Sequence, residues 1–391
     1  MEFEYWWLLA LPLFFALGWF AARVDIKQLL LESRALPRSY FKGLNFLLND
    51  QPDKAIEAFI EVVKVDPQTV ELHFALGSLF RRRGEVERAI RMHQNLVERP
   101  DLAQEQKLAA LFELAQDYFK AGLLDRAEEL FLKLEGTAYS EQGLRFLLEI
   151  YEQEKEWHKA IDIAGKLETV TGRSHQKEIA NFCCELAINE MMHSRPAAAR
   201  PHLEEALSHH RLCVRANLLL GDLEAAAGHP EAAIDAWKRI ESQSPQHLAL
   251  VSERLYNAYK QRRMVEEGVN LLSGYLAKYP SLDLLNAVFQ GVVESRGTEE
   301  AYRLARDELR RMPTLLGLDK LLEAQMLEAP LDRRRDLELV KELVNQHTRG
   351  LAMYKCDNCG FRARQYYWHC PACAEWETYS PRRTEEAKLP A

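Results

Sequence analysis

The chain has 391 residues, with 51 Lys or Arg against 59 Asp or Glu, for a net charge of -8. That length exceeds one ordinary small domain, and a 47% hydrophobic share with only 18 Gly and 15 Pro excludes a disordered chain or one dominated by flexible linkers. The acidic balance excludes global attraction to nucleic acid, and seven cysteines, crowded toward one end, do not make the even framework of a disulfide-stapled secreted domain.

Residues Tyr5 to Ala22, YWWLLALPLFFALGWFAA, carry no charge. At the rise of an α-helix such a run spans roughly 27 Å, enough for a hydrocarbon core. Trp6, Trp7 and Trp19 lie near its ends, where indoles favour the interface, and Pro12 is tolerated in a membrane helix. Glu2 and Glu4, with no Lys or Arg before the run, argue against a cleaved signal peptide. Residues 1–22 are therefore expected to form a transmembrane anchor. Arg23, Lys27, Arg34, Arg38 and Lys42 outnumber Asp25 and Glu32 after it. The positive-inside rule places everything beyond in the cytoplasm, with 23–35 a basic juxtamembrane linker that also suits anionic membrane lipid.

From 36 to 313 the pattern is helical, in amphipathic pairs recurring every 33 to 39 residues. A small residue, an aromatic and an Ala recur in phase: Gly43, Phe46 and Ala55; Gly77, Phe80 and Ala89; Ala115, Tyr118 and Ala127; then Gly221 and Ala233. The Ala slot runs Ala55, Ala89, Ala127, Ala160, Ala199, Ala233, Gly268 (a substitute in the same slot) and Ala301, about eight units. Pro245, Pro280 and Pro313 end later copies, whereas the fourth and fifth lack the turn Gly and the final Pro, which blurs their boundaries. Small residues let paired helices approach closely, while aromatics and Leu fill the gaps between pairs. Residues 314–350 read as an atypical capping pair. Arg81-Arg82-Arg83 and Arg333-Arg334-Arg335 read as solvated charge or helix-end complements.

Near the C-terminus, YKCDNCGFRARQYYWHCPACAEWETY spaces Cys356, Cys359, Cys370 and Cys373 as C-x2-C-x10-C-x2-C. Two such knuckles can aim four thiolates at one tetrahedral ion, Zn(II) or iron, with no open position for a catalytic water. Gly360 and Pro371 suit the knuckle turns, and His369 is a competing ligand in principle. A module this small, at 351–380 with a tail at 381–391, depends on its metal to fold. Phe361, Tyr366, Tyr367, Trp368 and Trp376 form its apolar shell, which is expected to dock on the last helices.

The in-phase pattern over about 280 residues resembles the tetratricopeptide repeat. The expected fold is an all-α tetratricopeptide-repeat superhelix with one N-terminal transmembrane helix and a rubredoxin-like or zinc-ribbon module. That family draws its groove from the first helix of each unit, which maps onto Arg81, Gln116, Lys120, Arg145, Glu149, Arg215, Asp222, Asn257 and Lys260 as partner-binding candidates. The order of anchor MEFEYWWLLALPLFF, repeats and terminal CDNCGF…WHCPACAEW closely resembles the lipopolysaccharide assembly protein B family of Gram-negative bacteria. The resemblance implies an inner-membrane adaptor, N-terminus periplasmic and body cytoplasmic. It also implies promotion of breakdown of the lipid A pathway deacetylase by the membrane AAA protease FtsH, opposed by a membrane-embedded regulatory partner and set among other lipopolysaccharide assembly proteins. A generic membrane-tethered cochaperone differs only in its client. No G-x-x-x-x-G-K-[ST], H-E-x-x-H, G-x-S-x-G or G-x-G-x-x-G occurs, so no enzyme is expected. Nucleic-acid binding through the ribbon is disfavoured, because residues 354–391 carry only a slight basic excess.

Overall fold

The computed structural model of the protein describes residues 15–16, 19, 38–49, 51–65 and 70–386. The expected anchor, apart from three of its residues, and the basic linker lie outside the described residues. Among those described, no helix is long and apolar enough to cross a membrane. The chain divides into two compact units at Ile150–Tyr151.

The first unit holds α1 (Arg38–Leu48), α2 (Pro52–Val65), α3 (Val70–Arg83), α4 (Val86–Glu98), α5 (Gln104–Lys120), α6 (Leu124–Lys133) and most of α7 (Ser140–Glu154). The second continues with α8 (Trp157–Thr171), α9 (Gln176–Met192), α10 (Pro196–His209), α11 (Val214–Ala226), α12 (Pro230–Lys238) and the short α13 (Ile240–Gln243). A 3-10 turn at Pro245–His247 then leads to α14 (Leu248–Gln261), α15 (Val265–Lys278), α16 (Leu282–Arg296), α17 (Thr298–Arg311), α18 (Leu315–Glu328) and α19 (Leu331–Thr348). Consecutive helices pack as hairpins. A short antiparallel ribbon of β1 (Tyr354–Lys355) and β2 (Arg362–Ala363) pairs Tyr354 with Ala363.

One turn geometry links the two helices of a hairpin. The N–H of Glu85 donates to the Phe80 carbonyl, Leu123 to Tyr118 and His229 to Glu224, each across a left-handed Gly84, Gly122 or Gly228. This is the Schellman closure, which satisfies carbonyls left open at a helix end. The fourth and fifth repeats, which lack the glycine, close the same way: Glu156 donates to Tyr151 and Arg195 to Glu190, with Lys155 and Ser194 left-handed instead. Their boundaries are invisible in the sequence because a non-glycine residue bears the strain.

Packing within hairpins follows the small-residue pattern. Ala55, Ala89, Ala127, Ala160, Ala199, Ala233 and Ala301 all have no exposed surface. At Gly43, Gly77 and Gly221 an added methyl would sit inside Phe59, His93 and Trp237, the large side chains at the matching place in the second helix. The missing Cβ is what admits those rings. The Trp237 indole N–H also donates to the Leu218 carbonyl at 3.1 Å, so its ring has no freedom to retreat.

In the second hairpin a histidine takes the place that Phe59 and Trp237 hold in theirs. His93 Nδ1 lies 2.5 Å from Asp117 Oδ2, and Asp117 Oδ1 accepts from Arg81 at 2.7 Å. Arg81 also meets Glu113 at 2.5 Å. Buried polar groups are tolerated when paired in this way.

Gly221→Ala gives the sharpest test of this packing. In an exposed helix the change would stabilise by up to about 1 kcal/mol. Here overpacking against Trp237 should reverse the sign and cost about 1–3 kcal/mol, read as a lowered melting temperature. A raised melting temperature would contradict the packing.

Candidate metal centre

The two cysteine knuckles are copies of one backbone loop. Gly360 N–H donates to the Cys356 carbonyl and Cys356 N–H to Phe361; in the second, Ala374 donates to Cys370 and Cys370 to Glu375. Gly360 and Ala374 occupy the same left-handed position, at φ 79° and 55°. The first knuckle uses the permissive residue and the second bears the strain of a Cβ.

All four thiols are free, and their sulfurs lie within 4.8 Å of one another. Cys356 and Cys373 are 3.8 Å apart, Cys359 and Cys370 3.7 Å. One ion at the usual zinc–sulfur distance of a tetrahedral site requires edges of about 3.8 Å, whereas a disulfide requires about 2.05 Å. The donor set thus fits a single metal ion. Burial raises the Cys356 thiol, but amide N–H groups of Cys359 and Asn358 and the Thr378 hydroxyl outweigh it and bring it down to about 6. At Cys359 the Phe361 amide lowers the thiol, yet burial and the neighbouring thiols push it up to about 12. His369 does not compete: its Nε2 lies 2.9 Å from the Ala374 carbonyl, and its ring stacks on Trp376 at 4.4 Å. When bound, a four-thiolate zinc ion supplies structural cross-linking, and iron would in addition supply one-electron chemistry.

With its tail the module does reach the late helices α16 and α18, but its footing extends further back than the expected last helices alone, to α9, α11 and the turn before α14. Trp376 stands edge-on to Trp157 and to Phe182 of α9, and the Arg215 guanidinium of α11 lies 5.6 Å from its ring centre. Glu377 accepts from Asn181 at 2.9 Å and pairs with Lys177 at 3.3 Å. Trp368 stacks on His247 at 5.7 Å, and Tyr366 Oη lies 3.2 Å from His247 Nε2. Tyr354 donates to Asp283 of α16 at 3.2 Å.

The tail beyond the cysteines is part of this docking, which the sequence did not suggest. Arg383 forms a two-pronged pair with Asp283, 3.0 Å on each arm, and covers Tyr354 at 3.9 Å. Glu386 accepts the Leu282 N–H at the start of α16, and Glu385 accepts those of Leu315 and Leu316 at the start of α18. Two adjacent carboxylates therefore cap two helices, where orphan amides and the helix dipole favour negative charge. Burial pushes the Glu386 carboxyl up, against the hydrogen bonds from Leu282 and Arg383 that lower it.

The partner-binding candidates meet different fates. In the first unit Arg81 is engaged with Glu113 and Asp117, and Arg145 pairs with Glu141 at 2.8 Å in its own helix. Gln116 is half-buried, and Lys120 and Glu149 are exposed. In the second unit Arg215 is buried, paired with Glu185 at 2.6 Å beneath the module. Asp222 pairs with Arg254 at 2.8 Å and Lys260 with Glu294 at 2.7 Å. Asn257 is exposed and lines a cavity of about 420 Å³ beside Asp283, Tyr354 and Arg383.

Fold and site together define a helical-hairpin repeat protein that carries a rubredoxin-type four-cysteine module. Residues 42–103 and 184–247 match the tetratricopeptide repeat family, and residues 354–381 match the rubredoxin metal binding domain. The chain is 36% identical over 379 residues to lipopolysaccharide assembly protein B of Escherichia coli (strain K12), covering 96% of this chain and 97% of that one. It is 31% identical over 391 residues to lipopolysaccharide assembly protein B of Haemophilus influenzae, covering 97% and 98%. The chain belongs to the lipopolysaccharide assembly protein B family.

Ala374→Gly should relieve about 1 kcal/mol of left-handed strain. More chelator should then be needed to strip the metal; an unchanged or lower requirement would contradict the knuckle geometry. A second prediction concerns pH. Burial holds His247 below its ordinary value, opposed by Glu377. The undocked state then binds more protons, so docking is at full strength above about pH 6.5 and weakens as pH falls through it. Tryptophan fluorescence of the metal-loaded protein should report that loss, and His247→Gln should remove part of it; an acid response unaltered by His247→Gln would assign it elsewhere.

Proposed function

We propose that the chain is an adaptor tethered to the bacterial inner membrane, with its body in the cytoplasm, that regulates lipopolysaccharide synthesis. The observation that carries this reading is similarity along the whole chain to proteins named for lipopolysaccharide assembly. Repeat and module are both binding architectures, and the four thiols lie within 4.8 Å of one another, spaced to share one ion. The adaptor brings the lipid A pathway deacetylase to the membrane AAA protease FtsH, and a membrane-embedded partner restrains it. Residues 1–22 confine the scaffold to the membrane, where proximity raises effective concentration without new contacts.

Partner contacts fall outside the face that the module covers. In the second unit Arg215 is spent on Trp376 and Glu185, and Asp222 and Lys260 are held by Arg254 and Glu294 at the surface. This leaves exposed Asn257, at the edge of the module, as the freest contact residue there, with Asp222 and Lys260 beside it. In the first unit Gln116, Lys120, Arg145 and Glu149 serve. The four cysteines hold one zinc or iron ion, whose work is to keep the module folded and docked.

The test is turnover of the deacetylase in cells that express the chain from its own locus without residues 1–22. The half-life of the deacetylase should lengthen toward that of cells lacking the chain. Normal turnover at native abundance would overturn the tethering step. Normal turnover in cells lacking the chain altogether would overturn the adaptor reading.

A further inference from the structure

A cavity of about 660 Å³ opens where the end of α19, the β-ribbon of the metal module and the tail meet. Its charged lining is three arginines, Arg349, Arg364 and Arg383, joined by Asn345 and Thr348, with no carboxylate in the wall. Arg383 is neutralised by Asp283 and acts as the frame: its Nη1 donates to the Ala352 carbonyl at 2.8 Å and to the Arg364 carbonyl at 3.3 Å. It thereby ties the two walls together. Arg349 and Arg364 are exposed, and among the described residues neither has a carboxylate within ion-pair distance.

Among the described residues unpaired arginines occur elsewhere on the surface, Arg82, Arg173 and Arg239 among them, but here two of them line one cavity with amide and hydroxyl groups between them. The carbonyls ending α19 contribute roughly half a negative charge, less than the two formal positive charges beside them. Guanidinium forks match phosphate oxygens in pairs, and amide and hydroxyl donors complete such a shell. We propose that this cavity binds a phosphate-bearing ligand, held between Arg349 and Arg364 with Asn345 and Thr348 as neutral donors. The same chemistry is presented by the headgroup of an anionic phospholipid and by a soluble phosphate compound. The inference is independent of the partners proposed above.

The test uses the full chain, metal-loaded and in detergent, titrated calorimetrically with three probes: pyrophosphate, dioctanoyl phosphatidic acid and dioctanoyl phosphatidylcholine. Pyrophosphate, phosphatidic acid or both should bind at one site per chain, and the zwitterionic lipid should not. Tighter binding of phosphatidic acid assigns a lipid source, and binding of pyrophosphate alone a soluble one. The Arg349→Ala, Arg364→Ala double variant should weaken binding by about tenfold or more, as expected for loss of charge-assisted bonds. Both side chains are exposed, so the variant should keep its metal and its helical signal. Arg382→Ala, an exposed arginine outside the cavity wall, should bind as the wild type does. Absence of binding by both anionic probes, or equal binding by the double variant, overturns the proposal.

Discussion

A four-cysteine module of this size has too little core to stand alone, and the second unit is arranged around that constraint. The buried residues of the module are few, chiefly Tyr354, Cys356, Cys370, Trp376 and Tyr379. Its remaining stability comes from two sources, a metal ion inside the thiol cluster and the helices outside it. The outer contacts are varied: indole edges at Trp376, ion pairs at Glu377 and Arg383, and helix caps at Glu385 and Glu386. Each is modest, but they are spread from α9 to α18, so the module braces hairpins distant in sequence.

That bracing has a functional consequence. The first helices of the repeats are the surface from which a tetratricopeptide groove is usually drawn, and in the second unit the module occupies part of it. Arg215 shows the effect directly. It sits where a groove residue is expected, yet its guanidinium lies between Glu185 and the Trp376 ring. The docked module therefore covers part of that surface in the second unit.

The sequence exposed what is local and repeated. The alanine slot was legible because close helix contact tolerates little else, and all seven alanines prove fully buried. The four cysteines were legible because ligand spacing reflects the knuckle. The turns at Lys155 and Ser194 were not, since backbone strain borne by a non-glycine residue leaves no mark in residue type. His93, at the place of Phe59 and Trp237, was also hidden, because its partner Asp117 belongs to another helix. The docking was least legible of all. Arg383 and Asp283 lie a hundred positions apart, and nothing in the residue types of Glu385 and Glu386 names the helix ends they cap. Tertiary partners of that kind follow no period.

The claim that the metal holds the module and tail on the repeats is tested most directly by hydrogen–deuterium exchange of the full chain with and without its metal. Chelation should accelerate exchange at the amides of Leu282, Leu315 and Leu316, whose acceptors are the tail carboxylates, and along the start of α9. The amides around Ala199 and Ala301, in hairpin cores, should stay protected. If Leu282, Leu315 and Leu316 remain protected after the metal is gone, the module is docked without it, and the account fails at its centre.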